Sequence, residues 1–393
     1  MPGYLPTILT GVLLATSAPT GETGWTPVIP ALPRPEAVES VSLSDVTATS
    51  SNDVWVVGDD GWSGSGQPLT AHWDGAGWAI VPTPEIADFD YKLRAVDAVA
   101  PQDVWAVGNG IVVPPGAGWT TARPTRMVTH FDGAAWSIVP APAPAVGTTY
   151  TLEDVDMVSA TDGWAVGVFW GTATDMPDRW QPVALRWQGG QWVRVSLPHV
   201  PGGNAAFEAV HARAANDVWA VGHQGERSLV MHFDGTSWRR ISVAHAGGSG
   251  VGNTLRAVTA VSATDVWAGG RACEWVDGSA SCGPVVLHLS GGVWRVVPTD
   301  GGLGTQIWGV AARSADDVWL VGYDEQTVPG QETNYLEHWD GVRLTRVPVP
   351  AAPAVAPMSG LASALESITL VPGSSELWAV GWHGSDAQVI RHG

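Results

Sequence analysis

The chain has 393 residues with 38 acidic against 19 basic side chains, a formal charge of −19. A surface of that sign repels phosphate backbones and anionic lipid, which argues against nucleic acid and membrane surfaces as partners. With 48 Gly, 29 Pro and 23 Trp set among short apolar runs, the chain reads as all-β, and no window has the 3.6-residue period of an amphipathic helix.

At the N-terminus, Leu5 to Ala18 is an apolar stretch ending Ala15-Thr16-Ser17-Ala18. It is close to a signal peptide's core and small-residue cleavage site, although no basic residue precedes it, and it is too short to span a bilayer. Residues 1–22 are therefore expected to be a cleaved or disordered leader of a secreted protein, and no other segment could cross a membrane. Residues 23–393 are expected to form a single domain, because one unit recurs throughout them.

That unit is a near copy of Asp-Val-Trp-Ala-Val-Gly, with tryptophans at Trp55, Trp105, Trp164, Trp219, Trp267, Trp319 and Trp378, spaced 50, 59, 55, 48, 52 and 59 residues apart. A supersecondary unit recurring at this period marks a solenoid or propeller. Leu93 to Pro142 shows the template: an apolar strand A (Leu93 to Val99), a turn, strand B (Val104 to Gly108), a variable loop, strand C (Met127 to Phe131), an Asp132-Gly133 turn, and strand D from Trp136 to Val139. The Asp-Gly pairs suit tight hairpins needing positive φ, and the Pro140-Ala141-Pro142 that follows ends strand D. Strand D's tryptophan recurs as Trp78, Trp136, Trp192, Trp238 and Trp294, with Leu344 in the sixth unit. The seventh unit stops where its own strand D should begin, while Trp25 to Pro30 matches Trp136 to Pro140. The expectation is a seven-bladed β-propeller of four-stranded antiparallel blades, closed by the N-terminal strand against the C-terminal blade.

The order Val-Trp-Ala-Val-Gly, loop, His130-Phe131-Asp132, Trp136 and Pro-x-Pro resembles the Kelch repeat of the broad Kelch and galactose-oxidase-like propeller group over nearly the whole chain. It departs from that repeat at the double glycine, complete only at Gly269-Gly270, and at the arginine expected after the last proline. The Asp-Gly-x-x-Trp hairpins also look like relatives of the Asp-box turn of sialidase-type propellers, with altered spacing. The resemblance implies a fold and no activity, since Kelch propellers include scaffolds, lectins and enzymes.

In such a blade the A-to-B and C-to-D turns share one rim, and the B-to-C loops and blade-to-blade connections share the other. The second rim holds nearly all the variation, and variable loops on a rigid scaffold are where binding and catalysis reside. Seven tryptophans out of register with the repeat fall at or near it: Trp62, Trp119, Trp170, Trp180, Trp275, Trp308 and Trp382. They suit stacking on sugar rings or holding a cationic ligand, or else loop clusters of their own. Polar residues stand beside them: Asp59, Asp60, Asp175, Asp178, Arg179, Glu274, Asp277, Asp324 and Glu325. None has the ligand spacing of a calcium loop, so no metal is expected.

One strand A position holds Thr47, Asp97, Asp156, His211, Thr259, Ala311 and Thr369. Turned inward, Asp97, Asp156 and His211 would line the channel on three consecutive blades, as candidate acid-base residues or as hydrated channel groups. His72, His130, His232, His288, His338 and His392 are expected to fill one strand C position as scaffold. Cys273 and Cys282 lie in one repeat's most irregular loop, where a zinc site would need further ligands, so a disulfide is expected. There is no Gly-x-Ser-x-Gly elbow, His-Glu-x-x-His or glycine-rich phosphate loop, and with both cysteines paired no copper site of the galactose oxidase kind; no cofactor is expected.

The functional expectation is a secreted, monomeric ligand-binding propeller, carbohydrate favoured over another small molecule, acting through the variable rim. The alternatives are a cofactor-independent lyase, epimerase or cyclase using Asp97, Asp156, His211 or rim acids, and a protein-interaction platform.

Overall fold

Seven four-stranded antiparallel sheets follow one another around a closed ring in the computed structural model. It describes residues 24–29, 31–33, 38, 40–61, 67–86, 89–112, 123–144, 148–171, 180–202, 204–243, 252–276, 279–325, 332–350 and 362–393. The proposed leader 1–22, Trp62, Trp119, Asp175, Asp178, Arg179 and Asp277 lie outside the described residues, as does the side chain of Trp275.

Blade 4 shows the construction, with strands β14 (Ala205–Ala214), β15 (Asp217–Gln224), β16 (Arg227–Phe233) and β17 (Trp238–Arg240) running outward from the axis. β15 is flanked by β14 and β16 and covered by blades on both faces, so Asp217 to Gly222 are all buried. This is why the motif is a continuous apolar run rather than an alternating one. The C-to-D hairpin is set by Asp234, whose Oδ1 accepts the Thr236 and Ser237 N–H groups at 3.0 and 3.0 Å while Gly235 takes φ 90°. Asp74, Asp132 and Asp340 do the same in blades 1, 2 and 6.

Blades are joined by indoles meeting edge to face, a favoured aromatic geometry. The strand D tryptophan of one blade meets the strand B tryptophan of the blade before it: Trp238 on Trp164 at 5.2 Å and 87°, Trp192 on Trp105 at 5.6 Å and 83°, Trp136 on Trp55 at 5.7 Å and 88°. β1 (Trp25–Pro27) pairs with β28 (Asp386–His392), and Trp25 meets Trp319 at 5.5 Å and 71°. The N-terminal strand thus closes the ring by the contact used at the other seams.

Each strand B tryptophan is also fixed from its own blade. Asp217 Oδ1 accepts the Trp219 Nε1–H at 3.0 Å and lies 2.7 Å from His232 Nε2, and His232 stacks on Trp219 at 4.2 Å. His130, His288 and His338 repeat this with Asp103, Asp265 and Asp317. The scaffold reading of these histidines holds, with one correction. His392 faces Leu377, and Arg391 stands opposite Trp378, as Arg186 does opposite Trp164. Both arginines lie over their indole, at 5.9 and 5.2 Å, and pair with Glu376 and Asp162. A guanidinium can replace imidazole because what the position requires is a flat donor over the ring. The hairpin of blade 7 has the register of blade 4, Trp378 with Arg391 as Trp219 with His232, so His392 falls one residue beyond the scaffold position.

Cys273 and Cys282 stand opposite one another on β19 (Asp265–Val276) and β20 (Ser279–Ser290) and form a disulfide across that hairpin. No helix among the described residues is long and apolar enough to cross a membrane.

Candidate functional site

Every inner strand carries a β-bulge at the same place. Register with strand B slips between Leu43 and Asp45, Leu93 and Ala95, Leu152 and Asp154, Phe207 and Ala209, Leu255 and Ala257, Ile307 and Gly309, and Leu365 and Ser367. The first residue of each pair is 0% exposed and anchors the strand in the inter-blade core. A bulge leaves its extra residue unpaired and re-aims the side chain. Here the extra residues are Ser44, Arg94, Glu153, Glu208, Arg256, Trp308 and Glu366, one from each blade, and all line one axial cavity of about 450 Å³. The bulges fall in the first half of each inner strand, so this ring lies toward the variable-loop face.

The bulge also accounts for the glycine of the repeat. A Cβ on Gly58, Gly108, Gly167, Gly222, Gly270, Gly322 or Gly381 would sit 1.9 to 2.2 Å from a carbonyl oxygen of the neighbouring inner strand. The residue after each glycine starts a second row: Asp59, Asn109, Val168, His223, Arg271, Tyr323 and Trp382. Four of its members reach the ring. Trp382 Nε1–H donates to Glu366 Oε1 at 3.0 Å, His223 Nδ1 lies 3.4 Å from Glu208 Oε1, and Asn109 Nδ2 approaches Glu153 Oε1 at 3.5 Å. Tyr323 meets Trp308 edge-on at 5.5 Å, and Asp59 pairs with Lys92 at 3.0 Å. Arg256 lies 5.1 Å over the Trp308 ring with Nη1 3.7 Å from Glu208, and Arg94 is 3.8 Å from Glu153.

The cavity lining thus sets two guanidinium groups, Arg94 and Arg256, and the His211 imidazole among six carboxyls, Asp45, Glu153, Asp154, Asp156, Glu208 and Glu366, with the Lys92–Asp59 pair beside them. Environment separates the carboxylates. Burial pushes Glu366 up to about 7 against the lowering of the Trp382 indole and more distant Arg256 and Arg94. Burial would also raise Glu208, but His223, Arg256 and Arg94 together hold it below the ordinary range. Burial raises Glu153, with Arg94 opposing and the Glu208 charge reinforcing.

Deeper in the channel the aspartates bind backbone. Asp45 takes the Val96 N–H at 2.8 Å, Asp97 the Met157 N–H at 2.7 Å, Asp154 the Val210 N–H at 2.7 Å and Asp156 the Ala212 N–H at 2.9 Å, each donor lying on the next blade. Asp97 also accepts from Thr47 at 3.2 Å, and Asp156 Oδ2 lies 3.2 Å from His211 Nδ1. Asp97, Asp156 and His211 are brought together, then, with both carboxylates already engaged as staples between inner strands. Burial and the Asp156 charge raise Asp97, and burial raises Asp45 to about 6. Burial would lower His211, but Asp156 outweighs it and the imidazole is raised.

The other sequence candidates divide. Trp308 and Trp382 belong to the cavity mouth. Trp170 and Trp180 face each other across a hairpin at 4.6 Å, an arrangement in which each indole covers its partner. Asp60 accepts the Gln67 N–H at 2.7 Å within its own hairpin, and Asp324 holds Arg346 at 2.9 Å. Glu274 and Glu325 are exposed. Arg94, Glu153, Glu208, Arg256 and Glu366 were missed by reading loops. Their signal was an offset of eleven positions ahead of the repeat tryptophan in six units (208 before 219, 94 before 105) and twelve in the seventh (366 before 378), where Ser, Arg, Glu and Trp replace one another.

No protein-family model matches the chain, and neither does any curated protein. Solved structures do share the fold. YCF48 bound to a D1 peptide is 14% identical, with 94% of this chain and 96% of that one covered at a TM-score of 0.53. U3-55K is 11% identical over 89% and 95%, TM-score 0.53. The GH74 xyloglucanase from Xanthomonas campestris is 14% identical over 93% of this chain and 53% of that one, TM-score 0.53. At these identities the likeness is one of fold.

Proposed function

We propose that this propeller binds a neutral polyhydroxylated ligand, carbohydrate favoured, at the axial cavity mouth on its variable-loop face. The observation that carries this reading is the disagreement among the blades. Scaffold positions repeat around the ring, whereas the bulge row holds Ser, Arg, Glu, Glu, Arg, Trp and Glu around one cavity. Guanidinium donors, carboxylate acceptors and an indole on one wall suit hydroxyl groups that both donate and accept and a sugar face that stacks. The carboxyls that outnumber guanidinium groups in the lining disfavour an anionic ligand. A cavity of about 450 Å³ is of ordinary small-ligand size. Propellers of this shape include one solved with a peptide and one that is a xyloglucanase, and the polar mouth weighs toward the second kind of ligand. A Kelch-like origin, action as a monomer and secretion belong to the same proposal; a disulfide is compatible with an oxidising compartment.

A glycan array followed by calorimetry tests it. Trp308→Ala is expected to weaken binding at least about tenfold, about 1.4 kcal/mol, and Arg94→Ala to weaken it without changing the fold. Binding confined to peptides, or glycan binding untouched by both substitutions, would overturn the reading.

A further inference from the structure

We propose that the mouth also carries a general acid and a general base, Glu366 and Glu208, which hydrolyse a glycosidic bond of the bound carbohydrate with inversion at the anomeric carbon. The inference rests on the carbohydrate reading above and adds an activity to it.

Position comes first. Both carboxylates are bulge residues lining the same cavity, and they stand three blades apart in a ring of seven, so they face each other across the channel. The cavity of about 450 Å³ lies between these walls, and inversion requires that a sugar and a water fit between the two carboxyls. Trp308 neighbours Glu366 in the ring and Arg256 stacks on its indole, which places a flat apolar surface beside the acid.

Their surroundings differ in the sense the two roles demand. Glu366 accepts one neutral donor, the Trp382 indole, and among the described residues no cation pairs with it. Glu208 has an imidazole at 3.4 Å and a guanidinium at 3.7 Å. A buried carboxyl without a cation retains its proton, and one beside a guanidinium and an imidazole N–H loses it; carboxyls pushed apart in this way mark acid and base. The charged groups facing Glu366 are Arg256, Arg94 and Asp59, and those facing Glu208 are His223, Arg256 and Arg94. Glu153, the third ring carboxylate, is tied to Thr151 at 3.0 Å and loosely to Arg94 and is assigned no step.

In the reaction the Glu366 hydroxyl gives its proton to the glycosidic oxygen while the bond from that oxygen to the anomeric carbon breaks, its electron pair staying on oxygen. Water attacks the anomeric carbon from the opposite face and passes a proton to Glu208. One water is consumed and two hydroxyl-bearing sugars leave; solvent then returns the proton to Glu366 and takes one from Glu208. With Glu366 titrating near 7 and Glu208 below its ordinary range, the rate should be bell-shaped in pH with its alkaline limb near 7.

The test uses the full chain with the neutral oligosaccharides that the array selects, assaying new reducing ends and, by proton NMR, the anomer first released. Cleavage to the inverted anomer is expected. Glu366→Gln and Glu208→Gln should each lose activity about a thousandfold while still binding the oligosaccharide and melting as the wild type does, and the alkaline limb should vanish in Glu366→Gln. Trp308→Ala should raise KM more than it lowers kcat. Binding without cleavage by the wild type, or undiminished cleavage by either Gln variant, would overturn the acid-base assignment and leave the binding reading intact. Absence of any carbohydrate binding would overturn both.

Discussion

Gly222 sits where a methyl group has nowhere to go. Its Cβ would fall 2.1 Å from the Ala206 carbonyl oxygen and 2.9 Å from the Phe207 Cα, both backbone atoms that cannot swing aside. Gly222→Ala should therefore cost about 3 kcal/mol through forced displacement of the inner strand, read as a lowered thermal or urea midpoint. Gly225→Ala in the same blade meets nothing within 4 Å, and only its φ of 55° penalises it, so it should cost less. The order of those two losses checks whether the motif glycine serves the bulge. Residue identity at this scale was legible: Asp, Trp, His and Gly recur because a capped indole and a close backbone approach recur. Arg391, not His392, takes the histidine's place in blade 7, because with the same two-residue loop it is Arg391 that stands as far beyond Trp378 as His232 does beyond Trp219.

Strand against strand, the channel aspartates explain an asymmetry that the sequence leaves unexplained. Blades 1 to 3 carry Asp45, Asp97, Asp154 and Asp156, each holding a backbone N–H of the next inner strand. The equivalent places in blades 5 and 6 hold Ala257, Thr259, Gly309 and Ala311, which line the cavity. One wall is stapled and the other gives room. Asp45 is held chiefly by burial at about 6, with Ser367 and the Val96 and Val46 N–H groups lowering it and Asp156 raising it slightly. A carboxyl whose folded value lies above its unfolded one contributes stability that is complete below pH 4 and fades as pH rises through the folded value. The thermal midpoint should accordingly fall from about pH 4 to a little above pH 6 and level off beyond, and Asp45→Asn, which keeps an acceptor for Val96 and does not ionise, should flatten that fall. An unchanged slope in the variant would show that Asp45 does not titrate in this window.

The molecule as a whole depends on a seam with no peptide bond across it. β1 contributes three residues to blade 7, and Trp25 buries its indole against Trp319 and His392. Trp25→Ala should cost about 3 to 5 kcal/mol and also free the β28 edge, a template for pairing with another chain. Trp238→Ala removes the equivalent indole within a blade whose four strands are consecutive, so it should lower the midpoint comparably without promoting association. Sedimentation of the two variants at several concentrations distinguishes them: association by Trp25→Ala alone is the expected result, and equal behaviour would mean that the seam is no weaker than the other blade boundaries.

By itself the sequence determined the number of blades, the four strands of each, the tight turns and the borrowed N-terminal strand. All of these follow from contacts repeated at a fixed spacing, and repetition is visible in one dimension. It also put Trp308 and Trp382 among the candidates, because they break that repetition. Only the tertiary structure decided which breaks in the pattern share a cavity. Arg94, Glu153, Glu208, Arg256 and Glu366 lie in different blades, and closing the ring turns one bulge position from each into a single charged mouth. The same closure committed Asp97 and Asp156 to backbone N–H groups across the blade boundaries. Whether a carboxylate meets a ligand or a neighbouring strand depends on distances between blades, and no property of the local sequence encodes those.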